Sequence, residues 1–222
     1  MSEGSRTITV PTNVERLMAF LAIHDTPQTR TKVATILWMD TTESQAAARL
    51  RAALWRVEKV APGWLVRNGS RIALSEDVSV DLHDAIAQSM RLTNCGATLN
   101  PGGESFEHLR RDLLPHWEEE WLLFERERVR QLRVHALEAL CRLLAQCDQL
   151  AQAIDAGIAA VASEPLRESA HRALISAHLA EGNVSEARRQ FFAYRDLLEE
   201  HLGISPTETL RDLALGPADI AR

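Results

Sequence analysis

The chain has 222 residues, enough for one or two domains, and its 45% hydrophobic and 25% charged residues are ordinary for a globular protein. Its most apolar stretch, residues 150–162, is interrupted by Gln152 and Asp155 and falls short of the roughly 20 residues that a membrane span needs. Residues 1–10 contain no apolar core of a signal peptide. We therefore expect a soluble, cytoplasmic protein that does not contact a membrane.

The net charge of -6 argues against nucleic-acid binding by the chain as a whole, but the charge is unevenly distributed. Residues 1–82 carry 10 basic and 9 acidic side chains, whereas residues 83–222 carry 15 basic and 22 acidic ones. Between Ser44 and Arg71 there are six basic residues and a single acid, Glu58. A local basic patch on an otherwise acidic protein marks a site for an anionic partner.

Three helices are predicted in the first 60 residues. The first covers residues 12–24, where Thr12 and Glu15 have the spacing of a capping box. The second covers residues 29–38. The third opens at Thr42, with Gln45 at the capping-box position, and extends to about Lys59. The apolar residues Ala47, Leu50, Leu54 and Val57 are expected to form the buried face of this third helix.

The opposite face of the third helix has the chemistry of a base-reading surface. Gln45, Arg49, Ala52 and Arg56 recur at i, i+4, i+7 and i+11 and so line one strip. Arginine can bond guanine O6 and N7, glutamine can bond adenine, and alanine can contact a thymine methyl group. A solvated arginine face on an ordinary helix explains the same pattern.

A predicted hairpin follows. Residues 64–67 and 70–74 read as short strands around Asn68-Gly69, a strong two-residue turn signal, and Val78, Val80 and Leu82 alternate as a further strand. Arg67 and Arg71 flank the hairpin tip, where they would meet phosphates or a minor groove. Three helices followed by an arginine-tipped hairpin is the order of a winged helix-turn-helix domain. A small α+β domain with a surface hairpin is the alternative.

The rest of the chain is predicted to be helical and repetitive. At a separation of 34 residues, the tetratricopeptide period, six residues recur: Leu132, Arg133, Ala136, Ala139, Leu140 and Ala153 return as Leu166, Arg167, Ala170, Ala173, Leu174 and Ala187. The predicted helix pairs are 131–147 with 150–162 and 166–180 with 184–202, with Asp148 and Gly182 in the matching turns. A long helix from about Glu118 leads into the first pair. Gly203 ends the last one, and Ser205 is the expected N-cap of a final helix. Such arrays are usually recognition surfaces and rarely catalysts.

No motif for catalysis, a cofactor or a metal is found. The cysteines Cys95, Cys141 and Cys147 form no CxxC pair, and the latter two are expected in the core. His171 and His178 lack a third ligand at metal spacing, and neither HExxH, a Walker sequence nor a G-x-S-x-G turn occurs. We therefore predict that the protein is not an enzyme and needs no cofactor or metal.

Three further segments are distinctive: HWEEEWLLFERER at residues 116–128, EPLRESAH at 164–171 and YRDLLEEHLGISP at 194–206. They resemble the bacterial transcriptional activator domain of the antibiotic regulatory protein (SARP) type of transcription factor. In that family the domain follows a winged helix of the OmpR type, and residues 31–38 and 46–57 are similar to its second and third helices. The family's winged helix usually starts with several strands, so the eleven residues before the first helix imply a short or missing N-terminal sheet.

The resemblance implies a mainly α protein with two domains. Residues 1–82 would form a winged helix-turn-helix domain that binds double-stranded DNA, and residues 83–222 a tetratricopeptide-like activator domain. It implies an activator in the nucleoid that contacts RNA polymerase, often as a homodimer on direct repeats. It places Arg56 at a base-contacting position, Ala52 at an apolar one, and Arg67 and Arg71 in the wing. The predicted DNA-contacting residues are Arg30, Lys32, Gln45, Arg49, Ala52, Arg56, Arg67, Ser70 and Arg71.

Two other functions remain open from the sequence. An interaction adaptor whose winged helix binds protein fits the overall negative charge and the short N-terminal sheet. A sensor gated by a small molecule bound between the repeats and the winged helix is the second alternative. DNA binding would be distinguished from both by a steep fall in affinity with ionic strength.

Overall fold

The computed structural model describes residues 2–3, 6–94 and 106–216, and these form two compact units divided between His83 and Asp84. The fold is mainly α: a winged helix-turn-helix unit is followed by an all-α helical repeat unit. Each unit is described separately below. Residues 93–103 are rich in Asn, Gly and Pro, which predicts a loop, and most of this segment, including Cys95, lies outside the described residues.

The helices of the first unit are α1 (Thr12–Ile23), α2 (Arg30–Leu37) and α3 (Glu43–Val60). The prediction for the start of α3 is confirmed: the Thr42 hydroxyl accepts from the backbone N–H of Gln45, and the Gln45 side chain accepts from the N–H of Thr42. The predicted capping box at Thr12 is wrong. Pro11 is the N-cap there, its ring already fixing an extended backbone with φ -62°, and it makes no side-chain cap.

The buried face of α3 consists of Ala46, Leu50, Ala53, Leu54 and Val57. Ala46 occupies the core position expected for Ala47, which is only half-buried. The reason is helical periodicity: residue 46 precedes Leu50 by four and Ala53 by seven, so these three share one face. Around this face the core includes Leu17, Phe20 and Leu21 of α1 and Val33 and Leu37 of α2.

The wing is a three-stranded antiparallel sheet in the order β3-β5-β4, formed by β3 (Gln28–Thr29), β4 (Leu65–Asn68) and β5 (Arg71–Leu74). The predicted hairpin is present, but its turn is shifted by one residue. Asn68 pairs with Arg71, so Gly69 and Ser70 form the two-residue loop. Gly69 takes φ +57°, the left-handed conformation that a tight hairpin turn requires at this position.

Near the N-terminus, β1 (Ser2–Glu3) and β2 (Arg6–Thr7) form a short antiparallel pair. The strand predicted over Val78–Leu82 is not formed. The Val78 N–H bonds the Ser75 carbonyl in a turn, and the His83 N–H bonds the Val80 carbonyl at the entry of α4 (Asp81–Thr93). So short a run of alternating apolar residues is compatible with a turn that leads into a helix as well as with a strand. Leu82 is buried here as a residue of α4.

The second unit contains most of α4, followed by a short 3-10 turn, Glu107–Arg110. The spacing of Phe106, Leu109 and Leu113 predicts a longer helix here, ended by Pro115, and that prediction is wrong. Five helices follow: α5 (Leu122–Gln146), α6 (Leu150–Ser163), α7 (Glu168–Ala180), α8 (Val184–Leu202) and α9 (Glu208–Leu215). Thus α5 starts four residues later than expected. Thr207, not Ser205, caps α9, because the Thr207 hydroxyl accepts from the Leu210 N–H.

The helices α5 to α8 pack in succession as the predicted pairs. Small residues lie where the helices approach most closely, including Ala136, Ala153, Ala170 and Ala187, all fully buried. The turns repeat as well, since Asp148 and Gly182 both have a left-handed backbone, with φ of +58° and +80°. Cys141 is in the core as expected, whereas Cys147 is exposed because it follows the last turn of α5.

Candidate nucleic-acid interface

The strip predicted on α3 is on the surface. Gln45, Arg49, Ala52 and Arg56 are all exposed, on the side of the helix opposite the buried face. The Arg56 guanidinium donates a hydrogen bond of 3.3 Å to Asn13 Oδ1 at the start of α1. Arg49 makes no hydrogen bond or ion pair with the described residues. The helix therefore presents two arginine side chains and a glutamine amide in one line.

The two arginines of the hairpin differ in their surroundings. Arg67 folds back onto α3, where its guanidinium donates to the Leu54 carbonyl at 3.1 Å and to the Glu58 carboxylate at 3.2 Å. Arg71 and Ser70, at the hairpin tip, are exposed. Arg67 thus fixes the hairpin against α3, whereas the side chains of Arg71 and Ser70 are exposed.

The start of α2 adjoins the hairpin tip. Thr29 pairs with Arg71 across the sheet, and the Arg30 N–H donates to the Ser70 carbonyl at 2.8 Å. Lys32 is exposed and donates through Nζ to Gln28 Oε1 at 2.9 Å, while the Thr29 hydroxyl caps the helix at the Lys32 N–H. The predicted phosphate-contacting residues Arg30 and Lys32 therefore lie beside Ser70 and Arg71.

One residue of this surface was missed by the sequence reasoning. Trp55 on α3 is 63% exposed, and the Lys59 ammonium lies 5.2 Å from the centre of its ring. An indole is usually expected in the core, so the sequence drew attention only to hydrogen-bonding side chains. The available signal was the spacing: Trp55 follows Ala52 by three residues and Ala48 by seven, which places it on the same exposed side.

Burial shifts the pKa values of three groups in the second unit. Burial raises the pKa of the Cys141 thiol to about 11 and that of Tyr194 to about 12, and it lowers the pKa of His171. The His171 ring is stacked 4.0 Å from the Tyr194 ring and bonds the Pro165 carbonyl and the Gln190 amide. These are structural groups of a packed repeat.

A groove of about 720 Å³ in the second unit is lined by α5, α6 and the segment before α5. Four arginines line it, and three of them are paired with carboxylates: Arg110 with Asp155, Arg130 with Glu127 and Glu164, and Arg133 with Asp112. The fourth, Arg126, donates to the carbonyls of Leu113, Leu114 and Trp117. Arg126 and Arg133 thereby hold the segment before α5 against that helix, Arg110 joins the segment to α6, and Arg130 joins α5 to the end of α6.

Within the described part of the chain, no three histidine, cysteine or acidic side chains are grouped to hold a metal ion. None of the described helices is long and apolar enough to cross a membrane.

Comparison with known proteins identifies the second unit. Residues 76–215, more than half of the chain, match the bacterial transcriptional activator domain. No curated protein matches the sequence. Among solved structures, the chain is similar to Mycobacterium tuberculosis EmbR, in a structure described as a complex with a low affinity phosphopeptide. The TM-score is 0.68 at 20% identity, over 93% of this chain and 59% of that one.

The chain therefore spans about three-fifths of the length of that structure, and the likeness at this identity establishes the fold. The domain match confirms the resemblance seen at residues 116–128, 164–171 and 194–206. The OmpR type of the winged helix stays a prediction. The family is one of transcription regulators and points to a non-enzyme. The chain belongs to the family of transcriptional activators that carry the bacterial transcriptional activator domain.

Proposed function

We propose that this protein is a sequence-specific DNA-binding regulator that activates transcription by recruiting RNA polymerase to promoters. The observation that carries the proposal is the exposed line of Gln45, Arg49, Ala52 and Arg56 on α3, within a winged helix-turn-helix unit. These side chains bear the donors, acceptors and methyl group that distinguish base pairs in a major groove. No other described helix of the first unit presents such a line.

In the proposed complex α3 enters the major groove, and Arg49 and Arg56 read base edges. Arg30 and Lys32 at the start of α2, with Ser70 and Arg71 at the hairpin tip, contact the flanking phosphates, which position the domain without specifying sequence. Arg67 has a different part in this arrangement. Because it is bonded to Leu54 and Glu58, it sets the angle of the hairpin relative to α3 and adds positive charge near the backbone.

The second unit supplies protein contacts in this proposal. Helical repeats offer extended surfaces for partners, and residues 83–222 carry 22 acidic against 15 basic side chains, which disfavours DNA as their partner. We assign contacts with RNA polymerase and with a second copy of the chain to this unit. Binding as a homodimer to direct repeats would double the number of bases read.

The test is selection of genomic fragments by the purified full chain beside the Arg49→Ala/Arg56→Ala double variant. The expected result is enrichment of a repeated motif by the wild type alone. A matched control is Arg188→Ala/Arg189→Ala, which removes two exposed arginines of α8 and should leave the enriched motif unchanged. Failure of the wild type to enrich any fragment at low salt would reject DNA binding.

An interaction adaptor is the second candidate, favoured by the net charge of -6 and by the engagement of Arg67 with Glu58. The two functions differ in their response to salt. Each phosphate neutralised on B-DNA contributes about 0.9 to the slope of log affinity against log salt concentration. A binding constant for duplex DNA that does not change between low and physiological salt would support the adaptor.

A further inference from the structure

The exposed side of α3 is wider than the line of four residues, and its two edges are defined by contacts. On one edge Arg67 of β4 bonds the Leu54 carbonyl and the Glu58 carboxylate. On the other edge Arg56 bonds Asn13 of α1. By helical spacing Arg51 lies on the Glu58 edge and Arg49 on the Arg56 edge, because each pair is seven residues apart.

Between these edges lies an apolar strip. Ala48, Ala52 and Trp55 are spaced at i, i+4 and i+7, and all three are exposed. The strip continues into Lys59, whose ammonium lies against the Trp55 ring. The centre of the recognition face is therefore methyl groups and an indole, while the arginines and Gln45 lie beside it.

Resting on the proposed function, we propose that Ala48, Ala52 and Trp55 form an apolar strip that reads thymine methyl groups in the major groove. The C5 methyl of thymine is the apolar feature that the major groove displays at unmodified base pairs, and apolar side chains recognise it. Trp55 gives the strip most of its area, so it is the specificity-determining residue. Lys59 restrains the indole and brings a cation toward the adjacent phosphates.

Different parts of the exposed side of α3 then select different bases. The Arg49 and Arg56 edge selects guanine, and the strip selects thymine at neighbouring positions, on either strand. If only the arginines contacted bases, the Trp55 indole would stay 63% exposed to water in the complex. Contact with thymine methyl groups removes this apolar surface from water. The preferred duplex therefore contains essential thymines beside the guanines.

The test replaces thymine by deoxyuridine, one position at a time, in the duplex that the wild-type full chain selects. This substitution removes only the methyl group and leaves every hydrogen-bonding atom in place. The expected result is a loss of about fourfold in affinity at one or two positions, as for one buried methyl group. The Trp55→Ala variant should bind the thymine and uracil duplexes equally at those positions. Trp55→Phe should keep part of the difference.

The matched control is Phe124→Ala, which removes an exposed aromatic of the second unit and should keep the full wild-type difference. The inference is overturned if uracil changes nothing for the wild type, or if Trp55→Ala shows the same difference as the wild type. Should Trp55→Ala fail to fold, Trp55→Phe and the wild-type scan decide between these outcomes. A wild type that selects no duplex would overturn the proposed function itself, which is a separate result.

Discussion

Glu138 of α5 is an acceptor for Arg167, whose Nε lies 2.6 Å from Glu138 Oε1, and the Glu138 carboxylate is almost completely buried. The Ser169 hydroxyl donates to the same oxygen at 2.6 Å. Glu138 thereby ties the middle of α5 to the entry of α7, across the two helix pairs of the repeat. Arg167 precedes α7, so a single carboxylate fixes where that helix begins.

The first prediction concerns this buried pair. Glu138→Gln removes the charge that compensates Arg167. We expect the free energy of unfolding to fall by about 2 kcal/mol, less than the roughly 3–5 kcal/mol for a fully buried pair, because Arg167 is partly exposed. Chemical unfolding followed by circular dichroism measures this loss. The control is Glu127→Gln, which breaks an exposed pair with Arg130 and should leave the unfolding midpoint unchanged. Equal effects of the two variants would contradict the prediction.

The second prediction concerns Gly157, where α6 meets α7. A Cβ at this position would lie 3.1 Å from the Leu174 Cα, a backbone atom that cannot turn aside. We expect Gly157→Ala to lower the free energy of unfolding by about 1 kcal/mol, because the overpacking exceeds the gain in helix propensity. Gly157→Val should lower it further. Thermal unfolding of the series measures this loss. An alanine variant more stable than the wild type would contradict the prediction and show that α6 and α7 can move apart to accommodate the added methyl group.

The third prediction concerns pH. His171 is 3% exposed, and burial lowers its pKa below the usual 6.5. As the pH falls through 6.5, the His171 ring therefore takes up a proton more readily in the unfolded chain than in the folded one. The unfolded state is favoured as a result, and the free energy of unfolding decreases below a pH of about 6.5. An NMR titration of the folded protein, with the signal assigned through His171→Gln, should show a midpoint below 6.5. A midpoint at or above 6.5 would contradict it.

The fourth prediction separates reading from positioning. Arg56→Ala should weaken binding to the selected duplex by about 1–3 kcal/mol and relax the preference at one base position. Lys32→Ala should weaken all duplexes alike and reduce the salt slope by about 1. Binding titrations at several salt concentrations, on the selected duplex and its single-base variants, measure both effects. Equal losses on every duplex for Arg56→Ala would reject its role as a base contact.

The fifth prediction concerns the cysteines in a Cys95→Ser background. Cys147 is exposed and should react with a thiol reagent in the native protein. Cys141 is fully buried, its thiol lies 3.4 Å from the Ala173 carbonyl, and its pKa is raised to about 11. We expect Cys141 to react only on unfolding, since the thiolate is the reactive form. Rapid modification of two thiols under native conditions would refute this.

Local signals were sufficient for most of the fold. The Thr42–Gln45 capping box and the helical spacing of Leu50, Leu54 and Val57 predicted where α3 begins and which side it buries. The 34-residue period predicted the helix pairs and the turns at Asp148 and Gly182. These features depend on residues within a few turns of one another, so the sequence contains them directly.

Features that depend on distant partners were missed. The strand β3 has only two residues, and it exists because Gln28 and Thr29 pair with Ile72 and Arg71. The side chain of Arg67 folds back because the hairpin places it beside Glu58, which no periodicity in the sequence reveals. The exposure of Trp55 is a different case, because its helical spacing from Ala48 and Ala52 already places it on the exposed side of α3.

The bond from the Arg30 N–H to the Ser70 carbonyl joins two backbone groups, and therefore no substitution other than proline at residue 30 removes the donor or the acceptor. Substitution can alter which atoms this surface offers while the spacing between helix α2 and the hairpin tip stays constant. Only a change such as Arg30→Pro, which deletes the donor, would release the two. Side-chain substitutions can therefore change which partner this surface prefers, while the backbone spacing between α2 and the hairpin tip is kept.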